Sequence, residues 1–244
     1  MKKLLALILV LVLCLPAIAL ADVLADDWQD ASMEELLDAQ QNISNRISEL
    51  RAAAAADVER VELSGTGTAI LSDVVIPFAP SRVKLTSEGS CTAKLTGGAY
   101  DYVFDGDSYE EKFFDQSGTF NLLVETTGAW SFVVEPIMDG GTLPLSGTGP
   151  FVSDFVELPA PMIVTVEGNK GSMNALLTNF IVKLNHQYKN LDAWQGDSLT
   201  NEMFTGTTAP FSADVILQPV DGRTQYCISV TCEPGVEWSI TPKN

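Results

Sequence analysis

Leu63-Ser64-Gly65-Thr66-Gly67 recurs unchanged as Leu145-Ser146-Gly147-Thr148-Gly149, and each pentapeptide heads a matching series. Ser72-Asp73 is answered by Ser153-Asp154, Pro80 by Pro161, Glu88-Gly89 by Glu167-Gly168, Lys94-Leu95 by Lys183-Leu184, and Trp130-Ser131 by Trp238-Ser239. Chance among Ser, Gly and Thr does not also keep Asp, Pro and Trp in order, so the chain reads as one module written twice. The spacing stays near 80 residues through the first half of each copy and widens to 108 at the tryptophans, which gives the second copy longer loops. Asp139-Gly140-Gly141 has the composition of a turn-forming linker and sets the copies at residues 57–138 and 142–244.

Both copies consist of short alternating runs between Gly, Pro, Asp, Ser and Thr, among them Phe120 to Val124, Trp130 to Val134, Met162 to Val166 and Phe180 to Leu184. Period-two hydrophobicity over such lengths is that of half-buried strands. The expected fold is all-β: two tandem β-sandwich, jelly-roll-like domains preceded by a short N-terminal α-helix. Trp130 and Trp238 occupy equivalent places and read as core, as do Tyr100, Tyr102 and Phe104, which share one strand face. Asn174 to Phe180 is ambiguous and is compatible with a short turn of helix.

Upstream of the repeats the pattern is different. Lys2 and Lys3, the apolar run Leu4 to Leu15, Pro16 and the small residues of Ala19-Leu20-Ala21 read as a signal peptide over residues 1–21. Twelve apolar residues fall short of the roughly 20 of a spanning helix, so the expected location is secreted, extracellular or at the cell surface, with the membrane met only transiently through the signal. Cys14 resembles the cysteine of a bacterial lipobox, but Leu13 stands where that motif takes a small residue. Residues 22–56 carry the helical signal. Ser32 and Glu35 have capping-box spacing, and Met33, Leu36, Ile43, Ile47 and Leu50 form a stripe interrupted by Gln40. That stripe suits either packing on the chain's own β domain or helix-mediated self-association.

Charge and composition exclude several function classes. Thirty-two acidic against 14 basic residues give a formal charge of −18, which repels nucleic acid. Cys91, Cys227 and Cys232 are too few for a disulfide scaffold, and Cys227 and Cys232 in one strand would stand roughly 16 Å apart. No CxxC spacing with a neighbouring histidine supports a metal site, and no cofactor motif is present. Asp101, Asp105, Asp107, Glu110 and Glu111 gather around Asp105-Gly106-Asp107, read as a solvated hairpin tip without the spacing of a calcium loop. The chain has one histidine and no Gly-x-Ser-x-Gly elbow, so no catalytic residue is assigned and a non-enzyme is expected.

The candidate ligand-binding residues are Trp194, Tyr188 and His186. Leu191-Asp192-Ala193-Trp194-Gln195-Gly196-Asp197 reads as a polar loop found only in the second copy, with His186 and Tyr188 on the surface just before it. Loops on rigid sandwiches commonly carry binding residues, and a large ring in such a loop either stacks on a ligand or folds back as an anchor.

Ser32-Met33-Glu34-Glu35-Leu36-Leu37, the strand Asn179-Phe180-Ile181-Val182-Lys183-Leu184 and the closing Trp-Ser strands together resemble uncharacterised exported tandem β-sandwich proteins of Gram-positive bacteria. More weakly, the chain is similar to bacterial pre-peptidase C-terminal modules. Those are accessory, jelly-roll-like units without catalytic residues, which the resemblance implies here as well. The expected function is a secreted, non-enzymatic binding or adhesion protein with a protein or glycan partner. The alternatives are a carbohydrate-binding module-like protein and a structural subunit assembling through its N-terminal helix.

Overall fold

The computed structural model describes residues 60–169, 178–187, 194–204, 210–220, 223 and 225–243. The expected signal peptide and N-terminal helix lie outside the described residues, as does Tyr188. Among the described residues no helix is long and apolar enough to cross a membrane.

The described chain is all-β. In the first half, β1 (Val61–Thr66), β8 (Ala129–Pro136), β3 (Ser81–Ser87) and β6 (Tyr109–Phe114) lie side by side in that order. A second sheet holds β2 (Ala69–Ile76), β7 (Gly118–Thr126), β4 (Cys91–Thr96) and β5 (Tyr102–Gly106). Strands consecutive in sequence mostly fall in opposite sheets, a jelly-roll winding. Alternate side chains of each sheet, such as Val83 and Leu85 or Ala93 and Leu95, are buried in one core with Phe104, Phe114 and Phe132.

The second half repeats this winding strand for strand. β10 (Leu145–Thr148), β17 (Glu237–Pro242), β12 (Met162–Gly168) and β15 (Phe211–Leu217) make one sheet. β14 (Trp194–Phe204), β13 (Thr178–Gln187), β16 (Gln225–Thr231) and β11 (Phe151–Glu157) make the other. Val164, Val166, Phe180, Val182, Leu184 and Ile240 lie in its separate core. The Asp139–Gly141 segment, expected as a turn, is instead a short strand, β9, that pairs parallel with β11 and adds a fifth strand to this sheet. Glycines suit a turn but also suit close approach to a neighbouring backbone, and composition does not separate the two uses.

The repeated pentapeptide has a concrete packing reason. Gly65 pairs with Trp130 and Gly147 with Trp238. A Cβ on either glycine would stand 2.8 Å from the Cζ2 of its tryptophan, so the indole can lie across the neighbouring strand only if that residue is glycine. Each indole N–H then donates to the carbonyl two residues on, Trp130 to Gly67 at 3.0 Å and Trp238 to Gly149 at 2.8 Å. Ser72-Asp73 and Ser153-Asp154 also keep their role, since each falls in the bulge where its strand shifts register. One match does not hold: Glu167-Gly168 ends β12, whereas Glu88-Gly89 follows β3. Register against the tryptophan strands instead makes Thr165 the counterpart of Lys84, and Val166 that of Leu85.

Cys91, Cys227 and Cys232 are all buried free thiols. Burial pushes the thiols of Cys227 and Cys232 up to about 12.

Candidate functional site: the cleft between the halves

The two halves meet along β6 of the first and β11 and β16 of the second, with Phe113 of β6 also touching Trp194 of β14. Glu111, expected at a solvated hairpin tip, is only 5% exposed, and its Oε1 accepts the backbone N–H of Val152 at 2.9 Å. Its other oxygen accepts the phenol of Tyr109. Arg82 donates to the carbonyl of Val152 at 3.1 Å and pairs with Asp154. Ile137, Val152 and Cys227 form a small third core under these contacts, with Phe113 and Phe155 packed against it. The expected acidic cluster is thus dispersed. Asp105-Gly106-Asp107 joins strands of opposite sheets rather than a hairpin, because β5 pairs with β4 and β6 with β3. Among the described residues no group of acidic, histidine or cysteine side chains is placed to hold a metal ion.

Beside this junction lies a cleft of about 350 Å³. The second half supplies one sheet face. Side chains alternate along β13, so Phe180, Val182, Leu184 and His186 point into the core while Lys183 and Asn185 point out. Their partners on β14 follow the same rule: Gly196 is opposite Asn185 and Trp194 opposite Gln187, which puts Trp194 on the outer face. Ser229 and Thr231 of β16 complete the wall. The first half supplies Tyr100, Tyr102, Lys112, Phe113 and Asp115.

The tyrosines form an ordered group. Tyr100 donates to Asp115 at 2.6 Å, Tyr102 donates to the same carboxylate, and the phenol oxygens stand 3.0 Å apart. Burial, with Asp115 alongside, pushes both phenols upward, so they remain proton donors. Gln116 holds this stretch in place, accepting from the backbone of Ala99 at 2.6 Å and donating to the carbonyl of Tyr100 at 3.3 Å. The expectation that these aromatics are core holds for Phe104 and in part for Tyr102, which packs against the core, but not for Tyr100. Tyr102 is half-buried and Tyr100 is 50% exposed, because the face they share runs past the end of the sandwich.

Of the three residues singled out from sequence, the structure describes two. Trp194 opens β14 rather than sitting in a loop; it stacks on Phe155 with ring centroids 5.8 Å apart and meets Phe113 edge-on at 5.5 Å. It therefore bridges both halves as well as lining the cleft. His186 is 4% exposed, which corrects its reading as a surface residue: β13 continues past Leu184, and the two-residue period turns His186 inward. Its Nε2 lies 3.1 Å from Asp197 and its Nδ1 3.3 Å from the carbonyl of Gln187, with the ring of Tyr226 6.2 Å away. Both ring nitrogens are engaged inside the second half, away from the cleft lining. Tyr100, Tyr102, Asp115 and Lys183 are among the cleft residues that sequence reasoning did not single out as binding residues. The signal for Tyr100 and Tyr102 was present in their period-two spacing, but the core reading absorbed it.

Fold and cleft define an all-β protein of sandwich type with a polar, aromatic-lined groove. No protein-family model matches the chain, and no curated protein does. Among solved structures it is similar to the N-terminal tandem of two family 22 carbohydrate-binding modules of Xyn10C from Paenibacillus barcinonensis, at 9% identity and a TM-score of 0.27, over 75% of this chain and 87% of that one. It is also similar to the stem and receptor-binding domain of spike protein P1 from bacteriophage PM2, at 8% identity and a TM-score of 0.24, over 76% of this chain and 97% of that one. Likenesses this loose carry no residue role over to this chain.

Proposed function

We propose that this is an exported, non-enzymatic binding protein that takes a short glycan segment in the cleft between its two halves. The observation that carries the reading is the cleft itself: Trp194, Tyr100 and Tyr102 stand beside Asp115, Lys183, Asn185 and Gln195 in one groove of about 350 Å³. Sugar rings present an apolar face ringed by hydroxyls, so aromatic surface interleaved with amide, ammonium and carboxylate groups is the lining that complements them. The volume lies at the lower end of ordinary small-ligand sites and suits about two sugar rings. Export follows the reading of residues 1–21. The non-enzymatic reading is supported by the burial of the sole histidine, His186, inside the second half and outside the cleft lining.

Titration of the intrinsic tryptophan fluorescence against a panel of oligosaccharides tests it. Binding is expected to shift or quench emission, and Tyr100→Ala is expected to weaken it without changing the melting temperature. A flat response to every glycan in the panel would remove this function.

A further inference from the structure

The two copies keep one lysine and treat it differently. Lys94 on β4 and Lys183 on β13 occupy the same register position, paired across to Leu123 of β7 and Ser229 of β16. Lys94 is bound by Asp101 at 2.7 Å. Extending the β4–β5 pairing by one residue puts Asp101 opposite Thr96; in the second half the equivalent place, opposite Asn185, belongs to Gly196. The carboxylate is gone. A Cβ on Gly196 would stand 2.7 Å from Asn185 Oδ1 and 3.2 Å from Lys183 Cδ, so the glycine also keeps open the space beside the lysine.

Lys183 is consequently uncommitted. Among the described residues Arg60, Arg82, Lys84, Lys94, Lys112 and Lys243 each pair with a carboxylate, while Lys183 makes no hydrogen bond or ion pair. The carboxylates lining the cleft with it are already occupied, Asp115 by two phenols and Glu111 by Tyr109 and Val152. A half-buried lysine without a partner, in a groove, inside a protein of formal charge −18, calls for an anion from outside. The same net charge repels long polyanions, which restricts the ligand to a short segment with few charges.

Building on the glycan reading above, we propose that Lys183 pairs with one anionic group on the bound sugar, the carboxylate of a uronic acid or a sulfate ester. The test compares three disaccharides by calorimetry on the whole protein: digalacturonate, its carboxyl-reduced neutral counterpart, and the neutral disaccharide bearing one sulfate ester. At least one anionic form is expected to bind about tenfold to a hundredfold more tightly than the neutral one, the range for a charge-assisted hydrogen bond. Lys183→Gln is expected to erase that preference at unchanged melting temperature, Lys183→Arg to retain most of it, and added salt to reduce it. Which anionic disaccharide carries the preference distinguishes carboxylate from sulfate. Equal binding of all three, unaffected by Lys183→Gln, would overturn this proposal and leave the glycan reading standing. Binding of none would overturn this proposal, and a flat glycan panel as well would remove the glycan reading with it.

Discussion

The first and second halves share a winding, a Trp–Gly clasp and bulged Ser-Asp strands, yet side chains at matching register positions do unlike work. Glu111 on β6 and Asp214 on β15 correspond, one opposite Lys84 and the other opposite Thr165. Glu111 is buried at the junction between halves, whereas Asp214 is an exposed carboxylate shared by Thr165 and Lys243. Lys94 is satisfied by Asp101, whereas Lys183 faces a cleft. A duplicated sandwich keeps its inward positions because both cores must be filled. Its outward positions diverge according to what lies against them, and here β11 and β16 of the second copy pack against β6 of the first.

Substitutions at matching positions can break or sharpen this comparison. The largest expected effect is at the shared clasp: Trp130→Ala and Trp238→Ala, at 4% and 2% exposure, should each cost about 3–5 kcal/mol in chemical denaturation. A much smaller loss at either site would show that the clasp is no longer equivalent. At the Glu111/Asp214 position the effects should diverge. Glu111→Ala strands the Val152 N–H and the Tyr109 phenol and should cost about 1–3 kcal/mol, whereas Asp214→Ala should leave the denaturation midpoint nearly where it was.

The buried thiols predict an alkaline limit. With folded values of about 12 for Cys227 and Cys232, above the unfolded thiol value near 8.5, the unfolded chain loses its protons first. Their stabilising contribution is complete below that unfolded value and declines as pH rises toward 12, by about 1.4 kcal/mol per pH unit for each thiol. Denaturation midpoints at stepped pH, with Cys232→Ala as the variant that should flatten the slope, check this. The smallest effect is expected at the Lys94–Asp101 surface pair: Lys94→Ala should change stability by under about 1 kcal/mol and leave ligand binding untouched, in contrast to Lys183.

Repetition and period-two patterning made the all-β architecture readable before any coordinates, because a half-buried strand writes its burial directly into alternate residues. The readings that missed concern ends and neighbours. The polar residues around His186 put it on the surface, but β13 runs on to Gln187 and alternation carries it inward. Gly196 and Asp197 after Trp194 point to a loop, although pairing with β13 draws all three into β14. Glu111 looked like one more surface acid among many, since nothing local shows that Val152, 41 residues on, will bring it a backbone donor.

The doubled module and the inward placing of its two tryptophans are legible in the amino-acid order alone, because they depend on local alternation and repetition. The cleft follows from tertiary structure. Tyr100, Asp115, Lys183 and Trp194 come from four different segments of the chain, and only the docking of one sandwich on the outer face of the other gathers them. Such a groove between surfaces has no period to write into a sequence, and an unpaired lysine is recognisable only once every carboxylate near it has been accounted for.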